Sequence, residues 1–465
     1  MTDEPGLAQS IADIVVATYN DVIPRAAKPA MRLNGVREWT VLAGLVAIEG
    51  TTLKPLTLAT GVKTMPNDVR EYSSGLIVHD LHAELLCLRM FNWSLVAEVK
   101  SQWAGNVAGH GDSEGVNGAK RAADSEGISG VNLRRESVAT GGVLTLAQIF
   151  EEERNGGEER NGQQERRNGE GETDEEKEED AMREVGNDVQ AAVADNQQST
   201  AARKGAVQTL KKYTLLHKKQ GQTRFTLRDG VRLALYISEP PCGDALMSAG
   251  TNGGASWEPP LRDEIIRGRA HFNSVGIVRT KPGRADSKIS YSKSCSDKLC
   301  IKQVTGILNA ISSWLIEPIY LLYLVVPREK YAEVDFLRCF HERLQPEHKL
   351  QVLQFGRNEF PFRKVPDTGI PLPLCFVRCE LNQFSQVLQN GVKNGAFVKK
   401  KPPRRNGESV LCQRRLWEQS RDLVGTFKDY RSLKTSDSVR VQLKAFARAQ
   451  LGLWPASSQV NFQLD

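Results

Sequence analysis

One histidine, one glutamate and two distant cysteines constrain this chain more than any other feature. His82-Ala83-Glu84 opens a helical stretch, Pro241-Cys242-Gly243-Asp244-Ala245 follows a strand, and Ser294-Cys295-Ser296-Asp297-Lys298 comes later. Histidine and cysteine are borderline and soft ligands, and three of them hold a zinc ion while a fourth position stays open for water. A nearby carboxylate that is not itself a ligand then moves protons between that water and a leaving group. Each residue alone has an ordinary structural reading, since a lone cysteine is usually a small buried hydrophobe. Together, in this order, they make His82, Cys242 and Cys295 the expected metal ligands and Glu84 the expected catalytic acid–base.

His-x-Glu followed by Pro-Cys is the signature of zinc-dependent nucleobase deaminases. Most of these carry Pro-Cys-x-x-Cys, with both thiolates on one helical turn. Here Ala245 stands at the second position and the nearest later cysteine is Cys295. A third ligand displaced into Ser-Cys-Ser-Asp-Lys resembles the adenosine-to-inosine RNA editases. The resemblance extends to Arg37-Glu38-Trp39-Thr40-Val41-Leu42-Ala43, to Thr60-Gly61-Val62-Lys63 with Val62 in place of a second threonine, and to Arg279-Thr280-Lys281-Pro282-Gly283-Arg284. Glu317-Pro318-Ile319-Tyr320 and the ending Leu451-Gly452-x-Trp454 also fit. It covers roughly residues 1–100 and 223–465.

The resemblance implies an α/β fold, a cytidine-deaminase-like α/β/α editase domain with a mixed central sheet. It implies hydrolytic, zinc-dependent conversion of adenosine to inosine in RNA, with Lys63 in a loop bordering the substrate pocket. The domain starts near residue 7, leaving no room ahead of it for a double-stranded RNA-binding domain. That favours the tRNA-acting branch, whose substrate is the adenosine at position 37, 3′ to the anticodon of an alanine tRNA. The alternatives are a messenger or double-stranded RNA deaminase and a non-catalytic RNA-binding relative. The latter is expected to lack Glu84 or a ligand, and all four residues are present. Editase domains also bury inositol hexakisphosphate, and a buried polyanion requires several converging cations. The residues expected to hold it are Arg89, Lys298, Lys302, Tyr430, Lys434 and Trp454, whereas Leu88 and Ile301 stand where arginines are usual, with Lys302 beside Ile301.

Apolar residues at Leu7, Ile11, Ile14, Val15 and Ala17 predict a helix over 7–22. Short apolar runs at Val41–Ile48 and Leu53–Ala59 predict neighbouring strands. Leu81, Leu85 and Leu88 share one helical face. Val231, Leu233, Leu235 and Ile237 alternate as a strand that delivers Cys242 to the start of a short helix, whose N-terminus favours the thiolate. A helix and an apolar strand are expected within 303–326, a strand at Leu374–Leu381, an exposed basic loop at 393–405 and helices over 411–453.

Composition changes abruptly near residue 101. Gly, Asn, Ser, Glu and Arg dominate from there, and Arg-Asn-Gly recurs at 154–156, 160–162 and 167–169. So little apolar content cannot bury a core. The expected organisation is a first part of the domain at 1–101, a low-complexity, mostly disordered insertion at 102–222, and the remainder at 223–465. A short helix or docking motif at Gly141–Phe150 is the one element expected inside the insertion.

Residues 151–180 carry 14 acidic and 5 basic side chains, so taking that −9 from the net +6 leaves +15 on the remainder. A basic fold beside an acidic tract suits a polyanion-binding protein. Eight cysteines without framework spacing point to a reducing compartment. The start Met1-Thr2-Asp3-Glu4-Pro5 lacks signal-peptide character, and the longest apolar run, Trp314–Val326, is too short to span a bilayer. A cytosolic or nuclear location is expected.

Overall fold

The computed structural model describes residues 4–108, 213–248, 266–268, 274–281, 287–364, 369–455 and 461–464. The chain opens with helix α1 (Glu4–Val22) and continues through strands β1 (Leu42–Glu49), β2 (Thr52–Thr60), β3 (Val62–Thr64) and β4 (Asp80–His82) into the long helix α2 (Ala83–Ala108). Strand β5 (Val231–Ile237), helix α3 (Cys295–Thr305) and strands β6 (Tyr323–Pro327), β7 (Gln351–Phe355), β8 (Leu374–Cys379), β9 (Phe384–Gln389) and β10 (Val392–Lys393) follow. Helices α4 (Gln413–Val424), α5 (Tyr430–Ser436) and α6 (Ser438–Leu451) close it.

Eight of these strands form one mixed sheet in the order β7-β6-β5-β1-β2-β8-β9-β10. The β5–β6 and β6–β7 pairs are parallel and the others antiparallel. β3 and β4 form a separate short antiparallel pair in which Val62 lies opposite His82.

Both faces of the sheet are covered, which is why β1 is apolar along its length rather than alternating. Leu42, Val46 and Ile48 pack with Ile11, Val15 and Tyr19 of α1. Ala43, Leu45 and Ala47 face the opposite core with Leu86, Met90 and Phe91 of α2. Gly44 sets how closely α1 approaches: a Cβ there would lie 2.5 Å from Val15 Cγ1. The result is the expected α/β/α sandwich.

The expected helix at the N-terminus and the strands at 42–49, 52–60, 231–237 and 374–379 are all present. Three local expectations change. His82 does not open a helix but ends strand β4, and α2 starts one residue later. Cys242 leads only into a single 3-10 turn, Asp244–Leu246, while the helix with a cysteine at its first turn is α3, capped by Ser294 accepting from the Asp297 amide. The structured domain also reaches further at both edges than 101 and 223. α2 runs to Ala108, and Leu215 and Leu216 are buried against Glu98, whose Oε1 accepts from both of their amides at 2.8 Å. Flanking lysines mask that apolar pair in a composition reading. The candidate motif at 141–150 lies outside the described residues. No described helix is long and apolar enough to cross a membrane.

Candidate metal centre and anion cavity

The three expected ligands arrive from three elements: the end of β4, the loop after β5 and the first turn of α3. His82 Nδ1 lies 3.7 Å from Cys242 Sγ and 3.5 Å from Cys295 Sγ. Among the described residues they form a group whose ligand atoms all lie within 4.8 Å of one another. Sulfur and nitrogen donors held ~2.3 and ~2.0 Å from a tetrahedral zinc sit ~3.5–3.8 Å apart, so the donor set and its spacing fit that ion.

Two loops must come very close to bring the sulfurs together. Gly243 has φ +106°, and a Cβ there would fall 2.2 Å from Ser294 Oγ, so only glycine fits. Ser296 Oγ donates to Pro241 O and accepts from the Ala245 amide, and the Cys295 amide donates to Cys242 Sγ at 3.4 Å. Ala245, where a second cysteine stands in most deaminases, is buried beneath Ser296. Cys295 takes over from a different segment.

The hydrogen bond from the Cys295 thiol, with Lys281 and His82 nearby, holds the Cys242 thiol well below its usual range, whereas burial and the adjacent Cys242 push Cys295 up. Two thiolates this close need a cation between them. These neighbours lower Cys242, and where a helix N-terminus was expected behind it there is only the short 3-10 turn Asp244–Leu246.

Glu84, on the first turn of α2, is 3% exposed. Burial pushes its carboxyl up, opposed by His82 and Lys281, and among the described residues nothing hydrogen-bonds its Oε2. A buried polar atom left without a partner beside a donor trio is available to a bound molecule.

Behind the trio runs a chain of buried charges. Lys281 Nζ donates to both oxygens of Asp80 at 3.0 Å and lies 3.2 Å from Cys295 Sγ. Lys298 donates to Asp80 Oδ2 and, at 2.7 Å, to Ser292 Oγ. Burial alone would raise the Asp80 carboxyl, but Lys281 and Lys298 hold it well below the usual range.

A second feature lies beyond Lys298, whose charge acts on Lys302. Arg89, Lys302 and Tyr430 line a cavity of about 130 Å³ together with Asn92, Asn309 and Gln413. Lys434 lies over the Tyr430 ring at 5.7 Å, and Trp454 has Lys293 and Arg448 over its ring at 5.5 and 5.4 Å. All six residues expected around a buried polyanion thus lie in one region.

Sequence reading missed Arg70, Lys293, Arg440, Lys444 and Arg448. The signal was present in the last three, which recur every fourth residue on α6 and so form one basic stripe. Like charges at that spacing repel, and this stripe is partly buried. Burial pushes Lys302 and Lys444 down to about 7, with Arg440, Lys444, Arg89 and Lys298 adding to the effect at Lys302, and Lys434, Arg448, Arg440 and Lys293 at Lys444. Arg70 Nε and Arg448 Nε are buried without hydrogen-bond partners among the described residues. Converging cations with so little carboxylate among them fit a polyphosphate, which would satisfy them through charge-assisted hydrogen bonds.

Lys63, the expected substrate contact, is exposed on β3 opposite Leu81, one residue from His82, and its Nζ donates to Asn390 Oδ1 at 2.8 Å. The 393–405 segment begins in β10 and is otherwise a mostly exposed loop.

A profile of the adenosine-deaminase (editase) domain matches residues 196–452. The chain belongs to that family. It is therefore a deaminase, and both cysteine loops of the editase fall within the matched region. Over 95% of this chain and 90% of the relative, it is 27% identical to tRNA-specific adenosine deaminase 1 of Saccharomyces cerevisiae. It is 27% identical to the protein of the same name from Schizosaccharomyces pombe over 97% of this chain and 96% of the relative. The double-stranded RNA-specific editase Adar of Drosophila melanogaster is 32% identical over 23% of this chain.

Proposed function

We propose that this editase deaminates adenosine to inosine in tRNA, with zinc held by His82, Cys242 and Cys295 and proton transfer by Glu84. The observation that carries the chemistry is the donor trio at tetrahedral spacing beside a buried carboxylate whose Oε2 has no partner among the described residues. Zinc bound there supplies the Lewis acidity that makes water a nucleophile at neutral pH. Glu84 removes one proton from the attacking water and delivers it to N1 of adenine, then takes the remaining proton from the new C6 hydroxyl and gives it to the amine as the C6–N bond breaks, so that water and adenosine become inosine and ammonia. Its raised carboxyl suits a group that must both accept and give a proton.

The tRNA substrate is supported by the names of two relatives matched over nearly the whole chain. Within tRNA we assign the adenosine 3′ to the anticodon of an alanine tRNA. An anticodon loop is already single-stranded, so extruding its base costs little. Lys63 and the basic loop at 393–405 supply attraction to phosphate, and loop shape supplies selectivity. The cation cavity is assigned to inositol hexakisphosphate, to be identified by mass spectrometry of acid-denatured protein.

The deciding assay compares an alanine tRNA transcript, the same transcript with guanosine next to the anticodon, and free adenosine. Inosine is expected only in the first. Inosine at the wobble position, or turnover of free adenosine at a similar rate, overturns the substrate assignment. Zinc content is measured alongside, and full zinc and activity in Cys295→Ala overturns the ligand assignment.

A further inference from the structure

Each cysteine of the trio is followed two residues later by an aspartate, Asp244 after Cys242 and Asp297 after Cys295. Both aspartates are fully buried, and one side chain reaches both. Arg343 Nη2 donates to Asp297 Oδ1 at 2.6 Å, and its Nη1 lies 3.4 Å from Asp244 Oδ2. Its side chain is 5% exposed.

The rest of the network fixes these carboxylates in place. Asp297 Oδ2 accepts from Ser294 Oγ at 2.6 Å and from the Arg279 amide at 2.9 Å. Asp244 Oδ1 accepts from the Gly276 amide at 2.7 Å, and its Oδ2 from Arg338 Nε at 3.1 Å. Arg338 also donates to Asp335 Oδ1 at 2.7 Å, and Asp335 accepts from the Ser248 amide at 2.6 Å. Two guanidinium groups, those of Arg338 and Arg343, make the side-chain contacts to these three aspartates. The segments carrying Cys242, Cys295 and residues 274–281 are thereby tied to one another.

A local irregularity makes the bridge reachable. Residues Arg338–Glu342 form a π-helical turn. In an α-helix, at about 100° per residue, side chains five apart point ~140° away from each other. The wider i→i+5 turn, closed here by the Arg343 amide on Arg338 O, swings them back towards one side, so that both arginines converge on Asp244.

We infer that Arg343 is a positioning residue that holds the two cysteine loops at metal-ligating separation. Ser296 joins the loops close to the sulfurs, through its hydroxyl and through its amide, which donates to Cys242 O at 3.0 Å. The Arg343 guanidinium joins them again from behind, hydrogen-bonded to Asp297 and ion-paired with Asp244, the second residue after each cysteine. A site held at its bound spacing loses less freedom when the ion enters, so the bridge acts on metal affinity. This inference rests on the reading of His82, Cys242 and Cys295 as the zinc site.

The test compares Arg343→Gln, Arg343→Lys and Arg338→Gln in the full-length chain. Zinc affinity is read by chelator competition, and the thiolate-to-metal absorption is read after cobalt substitution. Urea midpoints report folding. Arg343→Gln is expected to weaken zinc about tenfold or more, in line with other groups that orient metal ligands. Arg343→Lys keeps the charge but loses the wide guanidinium that reaches both carboxylates, and is expected to weaken zinc measurably less. Arg338→Gln touches Asp244 but not Asp297, and is expected to lower the urea midpoint while leaving zinc affinity near the parent value. If Arg343→Gln does not fold, Arg343→Lys is decided against the parent in the same assay. Parent-like zinc affinity in the folded Arg343 variant, or an equal loss in Arg338→Gln, overturns the inference. A parent chain that binds no zinc would instead overturn the metal-site reading beneath it.

Discussion

Lys281 grips both oxygens of Asp80 at 3.0 Å while its ammonium also lies 3.2 Å from the sulfur of Cys295. Asp80 begins the strand that His82 ends, and its other cationic partner, Lys298, sits three residues after Cys295. One carboxylate therefore stands between the donor trio and the cation cavity. Burial would lower the Lys281 ammonium, but Asp80 and then Cys295 raise it, so it stays charged beside the two sulfurs.

Replacing Asp80 by asparagine leaves two ammonium groups in the interior without their shared anion. Breaking a buried charge pair from one side costs about 3–5 kcal/mol. Asp80→Asn is expected to lose stability of that order in urea denaturation and to lose most deaminase activity. A variant as stable and active as the parent would show that the chain of charges carries neither load.

Glu84→Gln separates chemistry from folding. A general acid–base contributes about 10²–10⁴-fold, so inosine formation should fall by at least about a hundredfold while zinc content and tRNA binding hold. An acid whose folded pKa is raised destabilises the protein wherever it is ionised, above that pKa. The glutamine variant should therefore melt no lower than the parent at neutral pH. Normal turnover in this variant would remove Glu84 from its assigned role.

Much of this was readable beforehand because it is local. The Leu7–Ala17 periodicity, the apolar run at 42–48 and the alternation at 231–237 are properties of single segments, and each became the element it implied. The trio was readable because its residues keep distinctive neighbours. Asp80, Lys281 and Arg343 were not, because nothing in linear spacing says that residue 343 lies behind residues 244 and 297. The strands pair out of chain order, with β1 between β5 and β2, so such distances exist only after the sheet forms. His82 was placed on a helix because a three-residue strand is too short to show a period.

The cation cavity makes a pH-dependent prediction. Lysines 302 and 444 are pushed down to about 7 and Lys293 to about 8, from an ordinary 10.5. Between those values the unfolded chain binds more protons at these sites than the folded chain, so stability rises with pH across that window and levels off below it. Protein stripped of polyanion should accordingly melt higher at pH 9 than at pH 7. Inositol hexakisphosphate should raise the melting temperature most at pH 7 and flatten the dependence, and Lys444→Met should shrink both effects. Scanning fluorimetry over pH, with and without the polyphosphate, gives the answer. A polyphosphate shift that is absent, or is larger at pH 9, would contradict the assignment of the cavity.

Replacement of residues 109–212 is expected to leave the chemistry intact. The two ends of the described domain already meet: Gln102 Nε2 of α2 donates to Leu216 O at 3.1 Å, and Glu98 accepts from the Leu215 and Leu216 amides. From Gln102 to Ala108 the helix rises only ~9 Å, and Tyr213 lies within ~10 Å of extended chain from Leu216. A Gly-Ser linker of about eight residues has a typical span of ~16 Å, enough to join them, and closing a shorter loop costs slightly less chain entropy. The shortened protein should keep its zinc, its melting temperature within a few degrees and its deamination rate on the isolated anticodon arm. Soluble, zinc-loaded protein with no activity on that arm would place part of 109–212 in the catalytic site. Activity retained on the arm but lost on whole tRNA would instead place that segment in recognition of the rest of the molecule.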